Sequence, residues 1–318
     1  MTEKEQWLKE RRTGIGSSDA AVILGANPWK SPFALWTEKT GLVEPDSLEG
    51  NEPVLWGNIL EPVIADQYAL RTGRQLRDYG RYHIQRNPCS PFAHATIDRE
   101  IAPVDERGPG ILEIKTVSLR FSHLWEEEAP LYYQIQLQHQ FMVTGLRWGT
   151  FAPLIGGQQL LEWREEVPNP KFIAILAEKE EEFWSHVQRM EPPEVDGSLS
   201  TSKIIKELYH HETGMAVDLP EAAMEWDREL VDIKGRIKTL ETRQSDLENR
   251  LKQEIKDAGR GILPNGVVYR FQSVCRPGHF VKPSEFRVLK RMAEKWDLAS
   301  KELRESLPQQ GFKITKSA

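Results

Sequence analysis

The run Leu112-Glu113-Ile114-Lys115-Thr116 constrains the fold more than any other stretch of the chain. Its β-branched and apolar residues favour a strand, and side chains on a strand alternate between two faces. Leu112 and Ile114 therefore share one face that can be buried. Glu113 and Lys115 share the opposite face. The run predicts a strand of a partly buried sheet that presents a carboxylate and an ammonium group side by side.

A second carboxylate precedes this strand. Asp98 ends the short stretch Ala95-Thr96-Ile97, fifteen residues before Glu113. Two carboxylates can hold a hard divalent cation through oxygen, and a lysine beside them can orient an attacking water or help to deprotonate it. These are the residue types that metal-assisted phosphodiester cleavage needs. The alternative is an ordinary edge strand with a solvated Glu-Lys pair, which is the commoner meaning of a lone Glu-x-Lys.

Composition indicates a globular protein. The 318 residues, of which 39% are hydrophobic and 28% charged, suffice for one large α/β domain with an appendage or for two domains. No apolar run has the length of a membrane span, and the charged N-terminus lacks the apolar segment of a signal peptide. Cys89 and Cys275 form no metal-ligand spacing and no disulfide framework. We therefore expect a protein of the reducing cytoplasm, with no membrane partner.

The net charge of −6 does not exclude a nucleic-acid partner, because a nuclease can carry a basic channel on an acidic body. Arg11-Arg12 precedes the stretch Gly14-Ile15-Gly16-Ser17-Ser18-Asp19, which predicts a loop and a serine-capped helix start. Hydroxyls and guanidinium groups there could seat a phosphate. Asp19 disfavours an anion unless it is turned away or bonded to the backbone. A plain helix start is the alternative, and the residues alone favour it.

Periodicity predicts an alternation of helices and strands. Apolar spacing indicates helices over residues 54–71, 131–144 and 170–190, and Pro62 either opens or kinks the first of them. Glu61 lies beside the apolar stripe of that helix. Gln138 falls inside the apolar stripe of the helix over 131–144. The predicted strands cover residues 75–82, 92–101, 111–117, 147–155 and 158–167, the last two as a hairpin around Gly156-Gly157.

The chain changes character after Pro192-Pro193. We therefore expect a core domain over residues 1–195 and a C-terminal extension over 196–318. The extension begins with a long helix over 221–257, followed by a hairpin over 261–274 and a basic segment over 276–316. The long helix carries a coiled-coil-like seam, interrupted by Gln244, of Leu230, Ile233, Ile237, Leu240, Leu247 and Leu251. Packing on the core domain and contact with a partner or subunit are both open.

Five stretches occur in a fixed order, and together they resemble one family. They are Arg11/Arg12 with Gly-Ile-Gly-Ser-Ser-Asp, then Trp56-Gly57-Asn58-Ile59-Leu60-Glu61-Pro62, Thr96-Ile97-Asp98, Leu112-Glu113-Ile114-Lys115 and Tyr133-Gln134-Ile135-Gln136-Leu137-Gln138. The set is similar to the phage lambda exonuclease and YqaJ-type viral recombinase family, of the PD-(D/E)XK nuclease class. The resemblance implies an α/β fold of restriction-endonuclease type, with a central mixed sheet flanked by helices. The long helix and hairpin would follow that core.

The resemblance implies a Mg²⁺-dependent exonuclease that degrades one strand of duplex DNA from its 5′ end. Such enzymes leave 3′ overhangs for a single-strand annealing protein in phage-type recombination, and they form a homotrimeric ring that threads DNA. A phage or prophage origin and the cytoplasm of a bacterial host are implied as well.

The resemblance also assigns roles within the site. Asp98 and Glu113 match the metal ligands, with the Ile114 carbonyl as a third. Glu61 matches a helix acid that binds a metal directly or through water, and Lys115 matches the catalytic lysine. Two Mg²⁺ ions per site are implied, with Mn²⁺ as a substitute. The chain departs from the motif in that its first acid follows Thr-Ile rather than proline.

Gln138, and less closely Gln136, match the glutamine motif of the family. The residues that fall where the family holds a 5′-phosphate are Arg11 or Arg12, Ser17 or Ser18, and Thr96.

Two other functions stay open at the level of the sequence. One is a different nuclease of the same class, such as an endonuclease or a RecB-like enzyme, although the iron–sulfur forms need a cysteine cluster that this sequence lacks. The other is a catalytically silent scaffold that binds DNA ends during recombination. The combination of Asp98, Glu113 and Lys115 argues against the scaffold.

Overall fold

The computed structural model describes residues 2–45, 50–209, 218–276 and 284–295. The chain forms two compact units, Met1–Gly214 and Met215–Ala318. The first unit is a mixed α/β body, and the second combines a long helix with an antiparallel sheet. None of the helices in these ranges has the length and apolar content that crossing a bilayer requires.

The elements of the first unit follow the predicted alternation. Its helices are α1 (Glu3–Arg12), α2 (Ser17–Ile23), α3 (Pro32–Lys39), α4 (Glu52–Thr72), α5 (Leu131–Thr144), α6 (Pro170–Arg189) and α7 (Leu199–Leu208), with a 3₁₀ turn over Leu119–Trp125. Its strands are β1 (Ile15–Gly16), β2 (Leu76–Arg77), β3 (Gln85–Arg86), β4 (Ala93–Ala95), β5 (Arg99–Ile101), β6 (Gly110–Val117), β7 (Gly149–Ile155) and β8 (Gln159–Leu160).

The central sheet has five strands in the order β2-β5-β6-β7-β8. Strand β6 lies in the middle, antiparallel to β5 and parallel to β7, so the sheet is mixed. The parallel pair needs a crossover, and α5 lies in that connection. The tight turn between β7 and β8 uses Gly156 and Gly157 with φ of 59° and 71°, which suits two glycines. The mixed α/β architecture expected from the sequence is confirmed.

The two faces of β6 are covered by different helices. Leu112 and Ile114 pack in one cluster with Ile64 of α4. Ile111 packs in another cluster with Phe141 of α5. The alternation predicted for this strand is therefore confirmed. The face that carries the polar side chains lies toward α5.

The stretch 92–101, predicted as one strand, forms two strands in different sheets. Strand β4 pairs with β1 and β3 in a separate three-stranded sheet, whereas β5 pairs with β6. The chain changes sheets at residues 96–98, and this break brings Asp98 next to β6. The strand predicted over 75–82 is reduced to the two residues of β2.

Helix α4 buries only part of its predicted apolar stripe. Asn51 caps the helix, and Pro62 lies inside it rather than at its start. The row of Ile64 and Tyr68 faces the sheet, because residues four apart lie on one face of a helix. A second row lies about 100° around the axis and is roughly half exposed, and it contains Leu55, Ile59 and Val63.

The first unit extends beyond the expected boundary at residue 195. Helix α7 packs on α3, where Ile204 joins the cluster that contains Phe33. Thr201 Oγ1 also donates to Ser31 Oγ at 2.8 Å. These contacts attach α7 to the first unit, which extends to Gly214.

The second unit contains α8 (Ala223–Ile255), β9 (Arg260–Ile262), β10 (Val267–Arg276) and β11 (Ser284–Lys295). Strand β10 is antiparallel to both neighbours, so the predicted long helix and hairpin are confirmed. An added Cβ at Gly261 would stand 2.7 Å from Ile255 Cγ1, so the end of α8 lies closely against β9. Strand β11 falls within the predicted basic segment, and the remainder of that segment lies outside the described residues.

Candidate active site

Glu113 is the centre of a hydrogen-bonded cluster between β6 and α5. The residue is 2% exposed. Its Oε1 accepts hydrogen bonds from Lys115 Nζ at 2.6 Å and from Gln136 Nε2 at 2.5 Å. Its Oε2 accepts one from Gln140 Nε2 at 2.7 Å. Short bonds of this kind to a charged group fix the plane of the carboxylate.

Lys115 contacts two polar side chains and one aromatic ring. Besides Glu113, its Nζ donates to Gln136 Oε1 at 3.2 Å and lies 4.4 Å from the ring centroid of Tyr133. Burial lowers the pKa of Lys115, but the charges of Glu113 and Asp98 outweigh it, so the pKa lies above the ordinary lysine value. Lys115 is therefore an ammonium group at neutral pH.

Asp98 lies beside the same cluster. Its Oδ2 accepts a hydrogen bond from the backbone N–H of Ile114 at 2.7 Å. Burial raises the pKa of Asp98 well above the ordinary value, and the charges of Glu113 and Glu61 raise it further, against the opposing effect of Lys115. Asp98 and Glu113 therefore lie close enough for the charge of one to affect the other.

Glu61 of α4 reaches the site edge and pairs with an arginine that the sequence did not single out. Arg99 Nη1 bonds Glu61 Oε1 at 2.8 Å, and Arg99 Nη2 bonds Asp78 Oδ2 at 3.2 Å. The Arg99 side chain is only 8% exposed. Arg81 stands 3.8 Å from the second oxygen of Glu61. Arg99 directly follows Asp98 in the chain. Two adjacent residues therefore supply a carboxylate of the site and the guanidinium that pairs with Glu61 of α4.

The donor set fits a hard divalent cation. Asp98, Glu113 and Glu61 offer carboxylate oxygens, which Mg²⁺ prefers. Burial is the main cause of the raised pKa of Asp98, and a bound cation would offset the smaller part that comes from the charges of Glu113 and Glu61. Within the described ranges no three acidic, histidine or cysteine side chains stand in metal-binding geometry, and Glu61 bonds Arg99.

The structure differs from the sequence interpretation in the glutamines that it brings to the site. Gln138 donates to the carbonyl of Val167 at 3.0 Å and accepts from the N–H of Asn169 at 2.8 Å, away from Glu113. Gln136, the other glutamine matched to the family motif, does reach Glu113, and Gln140, which was not predicted, joins it. The apolar stripe favours Gln138, but the spacing of four residues between Gln136 and Gln140 was the signal for one shared face.

A separate group of residues joins α1 to the start of α2. Arg11 Nη2 donates to Ser18 Oγ at 3.3 Å, and its guanidinium lies 4.7 Å from the ring centroid of Trp7. Trp7 Nε1 donates to Thr96 Oγ1 at 3.5 Å. Arg11, Ser18 and Thr96, three of the residues predicted to hold a phosphate, are thus collected around one tryptophan.

The other two predicted phosphate residues lie apart from this group. Arg12 forms an ion pair with Glu44. The hydroxyl of Ser17 is buried and has no partner within the described residues. Of the two arginines and the two serines predicted to hold a phosphate, Arg11 and Ser18 are therefore the ones that can face one ligand together.

Asp19 is turned inward, which removes the obstacle that it posed for an anion. Its Oδ2 accepts from the N–H of Gly16 at 3.0 Å and pairs with Lys39 Nζ at 2.7 Å. Burial raises the pKa of Asp19, but the charges of Lys39 and Arg11 outweigh it and hold the pKa below the ordinary value.

Two buried histidines near the site are structural. His139 Nδ1 lies 2.7 Å from Glu180 Oε1, and its Nε2 lies 2.9 Å from the carbonyl oxygen of His94. Both ring nitrogens therefore face acceptors, which requires a proton on each. The contacts tie α5 to α6 and to β4. Burial and the charge of Lys39 lower the pKa of His94 to about 4.

Fold and cluster together define a mixed α/β protein in which two acids and a lysine meet a pair of glutamines from the crossover helix. The YqaJ-like viral recombinase domain matches residues 6–147. The chain is 39% identical over 267 residues to the protein YqaJ of Bacillus subtilis, across 82% of this chain and 81% of that protein. The chain belongs to the YqaJ-like viral recombinase family.

Weaker similarities extend to viral and structural relatives. A protein of African swine fever virus is 28% identical over 155 residues, which cover 42% of this chain and 44% of that protein. A crystal structure of an alkaline exonuclease from Laribacter hongkongensis covers 65% of this chain and 98% of its own, with 14% identity and a TM-score of 0.46. A phage-related exonuclease from Haemophilus somnus covers 61% of this chain and 96% of its own, with 15% identity and a TM-score of 0.40.

Proposed function

We propose that this protein is a metal-dependent deoxyribonuclease with a restriction-endonuclease-like core, which degrades one strand of duplex DNA from the 5′ end. The observation that carries the proposal is the cluster in which Lys115, Gln136 and Gln140 hold Glu113 beside Asp98. Membership of a viral recombinase family supports a role in recombination. The 3′ overhang that such an enzyme leaves is the substrate of strand annealing.

The residues proposed to hold Mg²⁺ are Asp98, Glu113 and the Ile114 carbonyl, with Glu61 binding directly or through water. Two bound ions, or Mn²⁺ in their place, would supply the charge that stabilises the attacking and leaving oxygens at the scissile phosphate. The protein itself supplies the carboxylates of Asp98 and Glu113 beside β6, and the charge of Glu113 contributes to the raised pKa of Asp98.

Lys115 acts in this proposal as a hydrogen-bond donor and as a positive charge. Its pKa lies above the ordinary lysine value, so it cannot accept a proton from water at neutral pH in this state. Two of its N–H groups bond Glu113 and Gln136, so the third can donate to a phosphate oxygen on which negative charge develops. Gln136 contacts both Lys115 and Glu113 and keeps the two side chains in a fixed relation.

Arg11, Ser18 and Thr96 are proposed to bind the 5′-phosphate of the strand being degraded. A guanidinium group offers two parallel donors to a phosphate, and stacking on Trp7 holds the guanidinium of Arg11 in place. Contacts to the DNA backbone would dominate affinity, so binding should weaken steeply with salt and show little sequence preference.

The proposed partners are duplex DNA ends and a single-strand annealing protein, and the proposed assembly is a homotrimeric ring around the DNA. This part of the proposal depends on the resemblance to lambda exonuclease-type nucleases.

The proposal is tested with a linear duplex labelled at its 5′ or its 3′ ends and with a closed circular duplex, each with and without Mg²⁺. We expect early release of the 5′ label, slow release of the 3′ label, an intact circle, and no reaction without Mg²⁺. Cutting of the circle would assign an endonuclease of the same class. Binding of ends without cleavage in Mg²⁺ or Mn²⁺ would assign a scaffold.

A further inference from the structure

Helix α8 carries an apolar seam that the described part of the second unit leaves uncovered. Within α8 only Ile255 is buried. The seam residues are between 40 and 68% exposed, and they are Leu230, Ile233, Ile237, Leu240 and Leu247. An exposed apolar stripe of this length is unfavourable in water and indicates an interaction surface.

The seam keeps one heptad spacing throughout, with Gln244 as its one polar position. Eight successive positions are separated by alternating steps of four and three residues, and they are Trp226, Leu230, Ile233, Ile237, Leu240, Gln244, Leu247 and Leu251. These are the a and d positions of a coiled coil, with Leu230 at a and Ile233 at d. The pattern therefore points to another helix as the occupant, rather than to a flat surface.

The charges that flank the seam complement a parallel copy of the same helix. In a parallel coiled coil, each g position faces the e position of the following heptad on the other helix. Three of these g–e positions are charged on both sides, and each pairs opposite charges between copies: Glu229 with Lys234, Arg236 with Glu241, and Arg243 with Glu248. Within the described residues, Glu229, Lys234 and Glu241 have no ion pair in the single chain.

An antiparallel copy is less favourable. When an antiparallel copy overlaps the whole seam, four kinds of charged pair form between the two helices. Two of these are repulsive, because Arg236 lies opposite Arg243 and Asp227 lies opposite Glu248. Charge alone therefore selects the parallel arrangement.

Gln244 favours the same orientation. In an antiparallel pair this a-position amide would lie against Ile233, where it has no polar partner. In a parallel pair in register, Gln244 meets Gln244 of the second copy, and two amides can bond each other. A single polar a position is also a known means of fixing register in a coiled coil.

We infer that α8 is a self-association element, which joins α8 of a second copy in a parallel coiled coil, in register along the seam from Trp226 to Leu251. Parallel helices around a shared axis suit the rotational symmetry of homo-oligomers. The inference concerns assembly alone and does not depend on the proposed nuclease activity, since it is tested on the full chain without DNA or metal.

The first test is a charge-reversal cycle followed by analytical ultracentrifugation. The substitutions Arg236→Glu and Arg243→Glu place these glutamates opposite Glu241 and Glu248 of the other copy. We expect the dissociation constant to rise on the order of 100-fold. Adding Glu241→Arg and Glu248→Arg restores opposite charges, and association should return. Helix content is followed by circular dichroism, so that loss of the helix is distinguished from loss of the contact.

The second test determines the relative orientation of the two α8 helices from disulfide formation, in a Cys89→Ser, Cys275→Ser background. Gln244→Cys should form a disulfide-linked pair under mild oxidation. Thr242→Cys lies on the opposite face of α8 and is the matched control, which should stay unlinked.

A wild-type chain that stays monomeric at every concentration would overturn the inference and assign the seam to another protein or to a segment outside the described residues. An oligomer whose dissociation constant is unchanged in the reversed variant would also overturn it. Linking between Ile233→Cys and Gln244→Cys chains, without linking of Gln244→Cys chains alone, would replace the parallel arrangement with the antiparallel one.

Discussion

Gln140 donates its side-chain amide to Oε2 of Glu113 across 2.7 Å, from a position on α5 that has no exposed surface. Its own carbonyl oxygen is buried without a partner in the described part of the chain. A half-satisfied buried amide is unfavourable for stability. The position is therefore better explained by its contact with Glu113 than by packing.

Replacing Gln140 should reduce activity through the orientation of Glu113. Gln140→Leu keeps the volume but removes the donor, so one oxygen of the carboxylate loses its fixed position. Removal of a partner that orients a metal ligand typically lowers metal affinity or activity about 10- to 100-fold. The measurement is the rate of end degradation against Mg²⁺ concentration. The matched control is Gln138→Leu on the same helix, which does not contact Glu113 and should retain close to the wild-type rate. Equal losses in both variants would assign the effect to α5 in general.

Glu113→Gln and Lys115→Ala should abolish cleavage while DNA binding persists. Glu113→Gln removes a charge from the proposed cation site, and Lys115→Ala removes the ammonium group that is proposed to face the reacting phosphate. We expect losses of about 100-fold or more in rate. Rates are measured on labelled duplex, and binding is measured by fluorescence anisotropy without Mg²⁺. Wild-type activity in both variants would mean that the catalytic site lies elsewhere.

Arg11 and Arg12 should differ in their effect on the DNA end. Arg11 stands with Ser18 and Thr96 around Trp7, whereas Arg12 is paired with Glu44. Loss of a charge-assisted phosphate contact costs about 1.5–3 kcal/mol, which is about 10- to 100-fold. Arg11→Ala should therefore reduce the preference for 5′-phosphoryl over 5′-hydroxyl ends, and Arg12→Ala should preserve it. If the wild-type chain degrades both kinds of end at equal rates, a phosphate seat in this region is refuted.

The buried pair of His139 and Glu180 should make stability depend on pH above neutrality. Burial lowers the pKa of His139, but the charge and hydrogen bond of Glu180 outweigh it, so the folded pKa lies above the unfolded value of 6.5. A base whose pKa is raised by folding contributes its full stability below the unfolded pKa. That contribution is lost as pH rises through the folded pKa. His94, whose pKa is lowered to about 4, acts in the separate window between about 4 and 6.5, where its stability cost grows as pH falls.

Urea unfolding at successive pH values above 6.5 measures the His139 effect. The wild-type free energy of unfolding should fall as pH rises in this range. Glu180→Gln should be less stable by about 3–5 kcal/mol at pH 6.5, because it leaves a buried imidazolium without its counter-charge or forces its neutralisation. Its stability should also change less with pH. The same slope in wild type and variant would show that His139 is not protonated in the native state.

Local sequence determined the ends of α5 and the alternation of side chains along β6. Pro130 and Gly145 fix the two ends of α5. The ring of Pro130 disfavours a helical conformation in the residue before it, and Gly145 adopts φ of 72° just after the last turn. The alternation along β6 determined that Glu113 and Lys115 would share a face opposite Leu112. Such features depend on backbone geometry within a few residues, so a single stretch of chain is enough to predict them.

Tertiary structure decided the rest. Which glutamines face Glu113 depends on the rotation of α5 about its axis, and that rotation is set by the packing of Ile135, Leu137 and Phe141 against other elements. The pairing of Glu61 with Arg99 depends on where α4 crosses the sheet. The position of Asp98 depends on a change of sheets between β4 and β5. Each is a contact between residues that are distant in sequence or on different elements, and their relative placement is decided by how the whole core packs.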